Sequence, residues 1–160
     1  MSARRTIHLA TDHAGFAHKE AVKEWLLKSA DYEVFDHGAK SFEPLDDFPD
    51  YIRLAVSAVS TNPESCLAII FGGSGQGEAM VANRFPRVRA TVYYGSNPEI
   101  IELSRAHNDA NVLSIGARFV SLEETKEVIT KWLMAEVLTD EKYQRRNKKI
   151  ETITREIHAI

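Results

Sequence analysis

Ser74 and Glu78 stand four residues apart in Gly72-Gly73-Ser74-Gly75-Gln76-Gly77-Glu78, a run that follows the apolar stretch Cys66–Phe71 and leads into helix-forming sequence. It reads as strand, glycine loop, helix. The glycines let backbone N–H groups crowd around a small anion, and the helix start adds unpaired donors and the positive end of its dipole. Glu78 falls in the first helical turn, at the mouth of this cradle. The dipole favours its ionised form while partial burial pulls its pKa upward. A carboxylate balanced between these effects can take a proton from a carbon acid while neighbouring N–H groups hold the oxyanion. An enediolate needs that pairing. The same spacing also suits an acid at a helix N-terminus, worth roughly a few tenths of a kcal/mol, and the loop alone does not separate the two readings.

Other glycine-loop chemistries fit poorly. Gly72 to Gly77 has the spacing of a nucleotide P-loop, but Glu78-Ala79 stand where Lys and Ser/Thr belong, so a carboxylate would face a triphosphate and no hydroxyl is placed for magnesium. The dinucleotide fingerprint lacks its third small residue after either Gly73-x-Gly75 or Gly75-x-Gly77. A serine-hydrolase elbow would need glycine where Gln76 stands.

Other polar residues cluster near the ends of apolar runs: Asp12 and His13 after the first, Ser74 and Glu78 after the third, and His107, Asn108 and Arg118 near the fifth. All are expected to reach one edge of the sheet. Asp and His in such loops also serve as helix caps, and Ser74 can satisfy local backbone donors. Their joint placement beside a glycine cradle favours a catalytic pocket. The six histidines offer no H-E-x-x-H or comparable pairing and there is no second cysteine, so a metal-free site is expected. His8, within a strand, and His158, near the end of the chain, read as structural or solvated. Lys142 and Arg146 lie one helical turn apart, a spacing suited to gripping one phosphate.

These residues need a scaffold, and the chain supplies an alternating one. Thr6–Ala10, Glu33–Asp36, Cys66–Phe71, Ala90–Tyr94 and Val112–Ile115 read as strands, nearly continuous in apolar character as parallel strands covered on both faces are. Between them Phe16–Ser29, Phe48–Ser60, Gly77–Arg84 and Pro98–Ala106 carry helical spacing. A helix from Ser121, capped by Ser121 with Glu124 at the capping-box position, follows. The pattern predicts a five-stranded, doubly wound parallel sheet, Rossmann-like, with helices on both faces and its loops gathered at the carboxyl edge. The segment from Asp140 to Ile160 carries Ile150, Ile153 and Ile157 at helical spacing and is expected to pack on a second subunit.

With 160 residues, 44% of them hydrophobic, and no linker-like tract, residues 1–160 read as one domain. The net charge of −3 gives no general support for nucleic-acid or anionic-membrane binding, which leaves a small molecule or another copy as partner. Cys66, the single cysteine, reads as a buried, inert thiol. No stretch approaches the roughly 20 apolar residues that span a bilayer, and Met1–Arg5 leads into the first strand without a signal-like apolar region. A cytoplasmic protein is expected.

Taken together, Asp12-His13-Ala14-Gly15, Asp47-Phe48-Pro49, Gly72 to Glu78, Ser104 to Asn111 and Gly116-Ala117-Arg118, in this order, resemble ribose-5-phosphate isomerase type B, in the family that also holds galactose-6-phosphate isomerase subunits. The resemblance runs from about Thr6 to Ile153. It implies interconversion of ribose 5-phosphate and ribulose 5-phosphate through an enediolate, without cofactor, in sites between two subunits of a dimer or tetramer. Isomerisation of galactose 6-phosphate, allose 6-phosphate or a tetrose phosphate, or non-catalytic sensing of a sugar phosphate, are the alternatives. By motif match Glu78 is the base, and Gly73, Ser74, Gly75, Gln76 and Gly77 form the anion hole. His107 opens the sugar ring. Asp12, His13, Asp47 and Asn108 hold substrate, and Arg118, Lys142 and Arg146 grip the phosphate. Many members carry a base cysteine at the position of Gly72, so this chain resembles the branch that uses glutamate. The tail departs from the usual pair of arginines, since Lys142 keeps the charge but loses the bidentate fork.

Overall fold

The computed structural model describes residues 5–159; Met1 to Arg4 and Ile160, which the signal-region and tail readings touch, lie outside that range. Five strands, β1 (Thr6–Thr11), β2 (Glu33–Asp36), β3 (Cys66–Gly72), β4 (Ala90–Tyr93) and β5 (Val112–Gly116), pair in the order β2-β1-β3-β5-β4. Every pairing is parallel. The helices are α1 (Phe16–Ser29), α2 (Phe48–Thr61), α3 (Gln76–Ala82), α4 (Glu99–Asn108), α5 (Leu122–Met134) and α6 (Glu141–His158).

Alternation along the strands builds two cores. Ile7 and Leu9 of β1, Leu67, Ile69 and Phe71 of β3, and Leu113 and Ile115 of β5 face α1, α4 and α5, where they meet Val22, Leu26, Ile101, Val128, Ile129 and Trp132. The intervening Ala10, Ala68, Ile70 and Val112 face α2 and α3 and meet Ile52, Ala55, Val56, Val59 and Ala82. Covered on both sides, all seven residues of β3 are buried, which is why its sequence is an unbroken apolar run. Each large aliphatic side chain buried in this way contributes about 1.5–3 kcal/mol. Cys66 is a free, buried thiol in the second core.

The chain leaves β1 for β2 on one side and returns to β3 on the other, so the connections diverge between β1 and β3. Ligands bind at such a switch point, outside the carboxyl ends of the strands. The turn His13–Gly15 and the start of α3 meet there.

One local expectation changes and one is narrowed. Ser121 Oγ accepts the Glu124 N–H at 3.1 Å, so the cap forms, but the Glu124 carboxylate accepts the Tyr93 hydroxyl at 2.7 Å instead of closing a capping box. Of the two readings of His8, the structural one holds. It is 8% exposed, stacks on Phe35, and places its Nδ1 2.8 Å from His37 Nε2.

α6 has no buried residue. Arg89 pairs with Glu151 at 2.7 Å, and Asn147 Nδ2 donates to the His107 carbonyl at 3.1 Å; these bonds hold the helix beside the end of α4. Ile150, Ile153 and Ile157 remain 42%, 55% and 61% exposed, an apolar stripe without cover in the single chain. Among the described residues no helix is long and apolar enough to cross a membrane.

Candidate active site

A cavity of about 420 Å³ lies at the switch point, lined among others by Asp12, His13, Phe48, Gly73, Ser74, Gly77, Glu78 and Arg118. Its floor is the loop from β3 into α3. Gly75 caps α3 with φ of +76°, a left-handed conformation that favours glycine, and its carbonyl accepts the buried Ser114 hydroxyl at 2.7 Å. The loop is thereby fixed to β5. Ser74 lines the cavity while its Oγ accepts the Gln76 N–H at 3.3 Å.

Glu78 is 4% exposed. Its carboxylate turns back over Gly72, into the space that a β-carbon there would fill. Burial raises its pKa, the backbone hydrogen bond to its own N–H opposes the rise, and the charge of Asp12 adds to it. The group therefore holds its proton more tightly than an ordinary glutamate and is a stronger base when ionised. Arg118 lies exposed at the cavity wall beside Gly73, a cation within reach of an anionic ligand.

His13 is held from behind. Asp46 Oδ1 accepts the His13 backbone N–H at 3.0 Å and lies 2.7 Å from His13 Nδ1, while Asp12 Oδ2 stands 3.8 Å from the same nitrogen. Asp12 also caps the turn, accepting the Ala14 N–H at 2.9 Å. Asp12, His13 and Asp46 bring ligand-type atoms within 4.8 Å of one another, close enough to share a cation, although in this arrangement they bond to each other and to the turn.

Sequence reading singled out Asp47, which is exposed at the N-cap of α2 and makes no capping bond. Its neighbour Asp46 is the one turned inward. Nothing in the sequence pattern singles out Asp46, Ser114 or Phe119. An Asp-Asp pair carries no signal for which carboxylate faces in, and Ser114 reads as one more residue of a buried strand. Gln76 opens α3 and lines a separate depression with Met80 and Asn83, away from the cavity floor.

The expected single-edge cluster is not formed within one chain. His107 and Asn108 end α4, and β5 begins only at Val112, so they sit at the amino edge of the sheet. The length of β5, five residues at about 3.3 Å each, separates that edge from the cavity. Helices in βαβ units run antiparallel to their strands, and a residue at the end of α4 must lie opposite the carboxyl edge. There His107 stacks on Tyr143 of α6, with ring centroids 4.3 Å apart and planes 8° from parallel. Lys142 and Arg146 flank Tyr143 on α6, exposed; the ion pair of that turn joins Arg145 to Glu141. The candidates thus form two groups: Asp12, His13, Ser74, Glu78 and Arg118 in the cavity, and His107, Asn108, Lys142 and Arg146 at the other edge.

A doubly wound parallel sheet whose switch-point cavity sets the buried Glu78 and Asp12 carboxylates beside a glycine loop and a guanidinium defines an α/β protein with a small-molecule-sized pocket at the usual ligand position. Residues 7–150 match the family model described as Ribose/Galactose Isomerase. Ribose-5-phosphate isomerase B of Escherichia coli is 37% identical over 132 residues, covering 82% of this chain and 85% of that one. The probable ribose-5-phosphate isomerase B of Mycoplasma pneumoniae is 35% identical over 136 residues, covering 85% and 87%. Among solved structures, ribose-5-phosphate isomerase B from Mycoplasma genitalium with bound ribulose-5-phosphate superposes with a TM-score of 0.89 at 33% identity, covering 98% of this chain and 99% of that one. The Clostridium thermocellum enzyme superposes with a TM-score of 0.87 at 32% identity, covering 95% and 99%. The chain belongs to the ribose/galactose isomerase family.

Proposed function

We propose that this protein interconverts ribose 5-phosphate and ribulose 5-phosphate, with Glu78 carrying the proton. The observation that supports this most directly is the buried Glu78 carboxylate folded over Gly72 on the floor of a cavity that also holds Ser74 and Arg118. In the aldose-to-ketose direction Glu78 removes the proton on C2, electrons shift to the carbonyl oxygen on C1, and the loop N–H groups stabilise the developing charge. The proton returns from Glu78 to C1 while the C2 hydroxyl proton passes to the C1 oxygen, leaving a C2 ketone and a C1 hydroxyl. No electron enters or leaves, so the chemistry itself calls for no redox partner. Four relatives and structures named above carry the same activity in their names, one with ribulose-5-phosphate bound.

The working unit in this reading is a homodimer. A cavity on one chain lacks the ring-opening acid and part of the phosphate grip, while the opposite edge presents His107, Asn108, Lys142 and Arg146 beside the uncovered Ile150, Ile153 and Ile157. Packing α6 against a second copy buries the stripe and delivers the second group to the partner's cavity, each copy completing the other as two-fold symmetry requires. The enzyme is placed in the cytoplasm, where phosphorylated sugars reside.

Proton NMR of ribose 5-phosphate with purified protein in D₂O, without added metal or cofactor, tests the activity. Protein-dependent appearance of ketose with deuterium entering at the reacting carbon is the expected result. Absence of both conversion and exchange would overturn the assignment and direct attention to six- and four-carbon sugar phosphates.

A further inference from the structure

His13 is the cavity residue with the most constrained surroundings, and the constraint comes from a side chain outside the cavity lining. Asp46 is 7% exposed in its side chain and lies on the approach to α2, 33 residues further along the chain. One oxygen, Oδ1, engages both the backbone N–H of His13 and its Nδ1. The other, Oδ2, is buried with no hydrogen-bond partner among the described residues. A carboxylate kept in so costly a position needs compensating interactions, and its two bonds to His13 are the short ones it makes, with the Tyr51 hydroxyl also near it. Phe42 closes the arrangement, its ring edge-on to the imidazole at 6.1 Å and 88°.

A carboxylate oxygen can only accept. At 2.7 Å from Oδ1, Nδ1 must therefore carry hydrogen in the neutral ring as well as in the charged one. Free histidine in water prefers hydrogen on Nε2 when neutral. We infer that Asp46 is a positioning residue that fixes His13 in the Nδ1–H form and turns Nε2 toward the bound sugar phosphate. Nε2 then accepts from a substrate hydroxyl when the ring is neutral and donates to an anionic oxygen when it is charged. The logic is that of a carboxylate orienting a histidine from behind in hydrolases and metal sites, transferred to a substrate-holding histidine. The inference rests on the isomerase reading for the identity of the ligand, but the tautomer is a property of the protein alone.

Two-bond ¹⁵N–¹H correlation spectra at a pH where the ring is neutral read that tautomer directly. The expected result is hydrogen on Nδ1 of His13 in the wild-type protein, retained in Asp46→Asn, whose amide oxygen still accepts, and shifted to Nε2 in Asp46→Ala. In turnover, Asp46→Ala is expected to raise KM for ribose 5-phosphate about tenfold with little change in kcat, and Asp46→Asn to stay near wild type. Adding Asp46→Ala to His13→Ala should cost nothing further, because the effect passes through the ring. Hydrogen on Nε2 in the wild type, or an undiminished loss in the His13→Ala background, overturns the inference. Absence of turnover with the tautomer as expected overturns the isomerase reading and leaves the role of Asp46 standing.

Discussion

The Glu78 carboxylate occupies the space into which a side chain on Gly72 would project. A base on Glu78 and a β-carbon at position 72 therefore exclude each other. Glycine at 72 is there to admit the carboxylate, in a strand end where every other residue carries a side chain into one of the two cores. Gly72→Ala is expected to push Glu78 out of register by an ångström or more and to lower kcat about 10²-fold, since displacement of that size from the reacting atoms has such an effect. Steady-state kinetics and a thermal melt check it together. A Gly72→Ala protein with wild-type kcat would show that the carboxylate's position over Gly72 is not the working one.

Replacing Glu78, the proposed base, gives a prediction with two signs. Glu78→Gln is expected to lower kcat by about 10²–10⁴, the usual size of a general-base contribution. Because burial raises the Glu78 pKa, the native state binds the proton more tightly than the unfolded chain, and stability contributed by this group falls as pH rises from the ordinary glutamate value through the raised one. Glutamine removes that loss. The variant should melt at a higher temperature than wild type at neutral pH, with the gap closing as the pH is lowered toward 4.5. The acid limb of wild-type kcat/KM should lie above an ordinary carboxylate value for the same reason. A Glu78→Gln protein less stable than wild type at pH 7 would contradict this account of the carboxylate.

The separation of His107 from the cavity makes the two-copy site testable by mixing. Glu78→Gln and His107→Ala each damage every site of their own dimer. A mixed dimer carries both damages in one site and neither in the other. Refolded or co-expressed as an equal mixture, the two variants should recover about a quarter of wild-type activity, the statistical share of intact sites in a two-fold dimer. No recovery, with exchange of subunits verified by mass spectrometry, would place His107 outside the partner's cavity.

Much of this architecture was written in period and punctuation. β3 is an apolar run because both its faces are covered, and α1 spans Phe16–Ser29 as its spacing predicts. The glycine loop at the end of β3 announced the cavity floor. What the spacing could not convey was depth and partner. Lys19 is fully buried and paired with Asp36 at 2.7 Å, a partner 17 residues away that helical spacing does not name. The choice between Asp46 and Asp47 depends on a loop whose path no periodicity describes. Nearness in sequence to β5 suggests the carboxyl edge for His107, but the end of α4 meets the start of that strand at the amino edge. Counting the turn between α4 and β5 gives that placement, since a helix entering a parallel strand delivers its last residues to the amino edge.

His8 carries the last prediction, on stability and pH. Burial, then the charge of His37, lowers its pKa from 6.5 to about 4. His37 is itself lowered, first by burial, with Lys40 acting the same way and Asp36 opposing. A group whose native pKa lies below its unfolded value contributes stability above the unfolded pKa and loses it as pH falls toward the native one. For His8 the window runs from about 6.5 down to about 4, and complete loss across it corresponds to roughly 3 kcal/mol. The two rings, with His8 Nδ1 and His37 Nε2 2.8 Å apart, can share one proton but not two charges. His8→Gln, which keeps a hydrogen-bonding group opposite His37 but cannot be protonated, should therefore flatten the fall in stability between pH 6.5 and 4, whatever its effect at pH 8. Denaturant midpoints measured across that range decide the matter: an equally steep fall in the variant would assign the acid sensitivity to other groups.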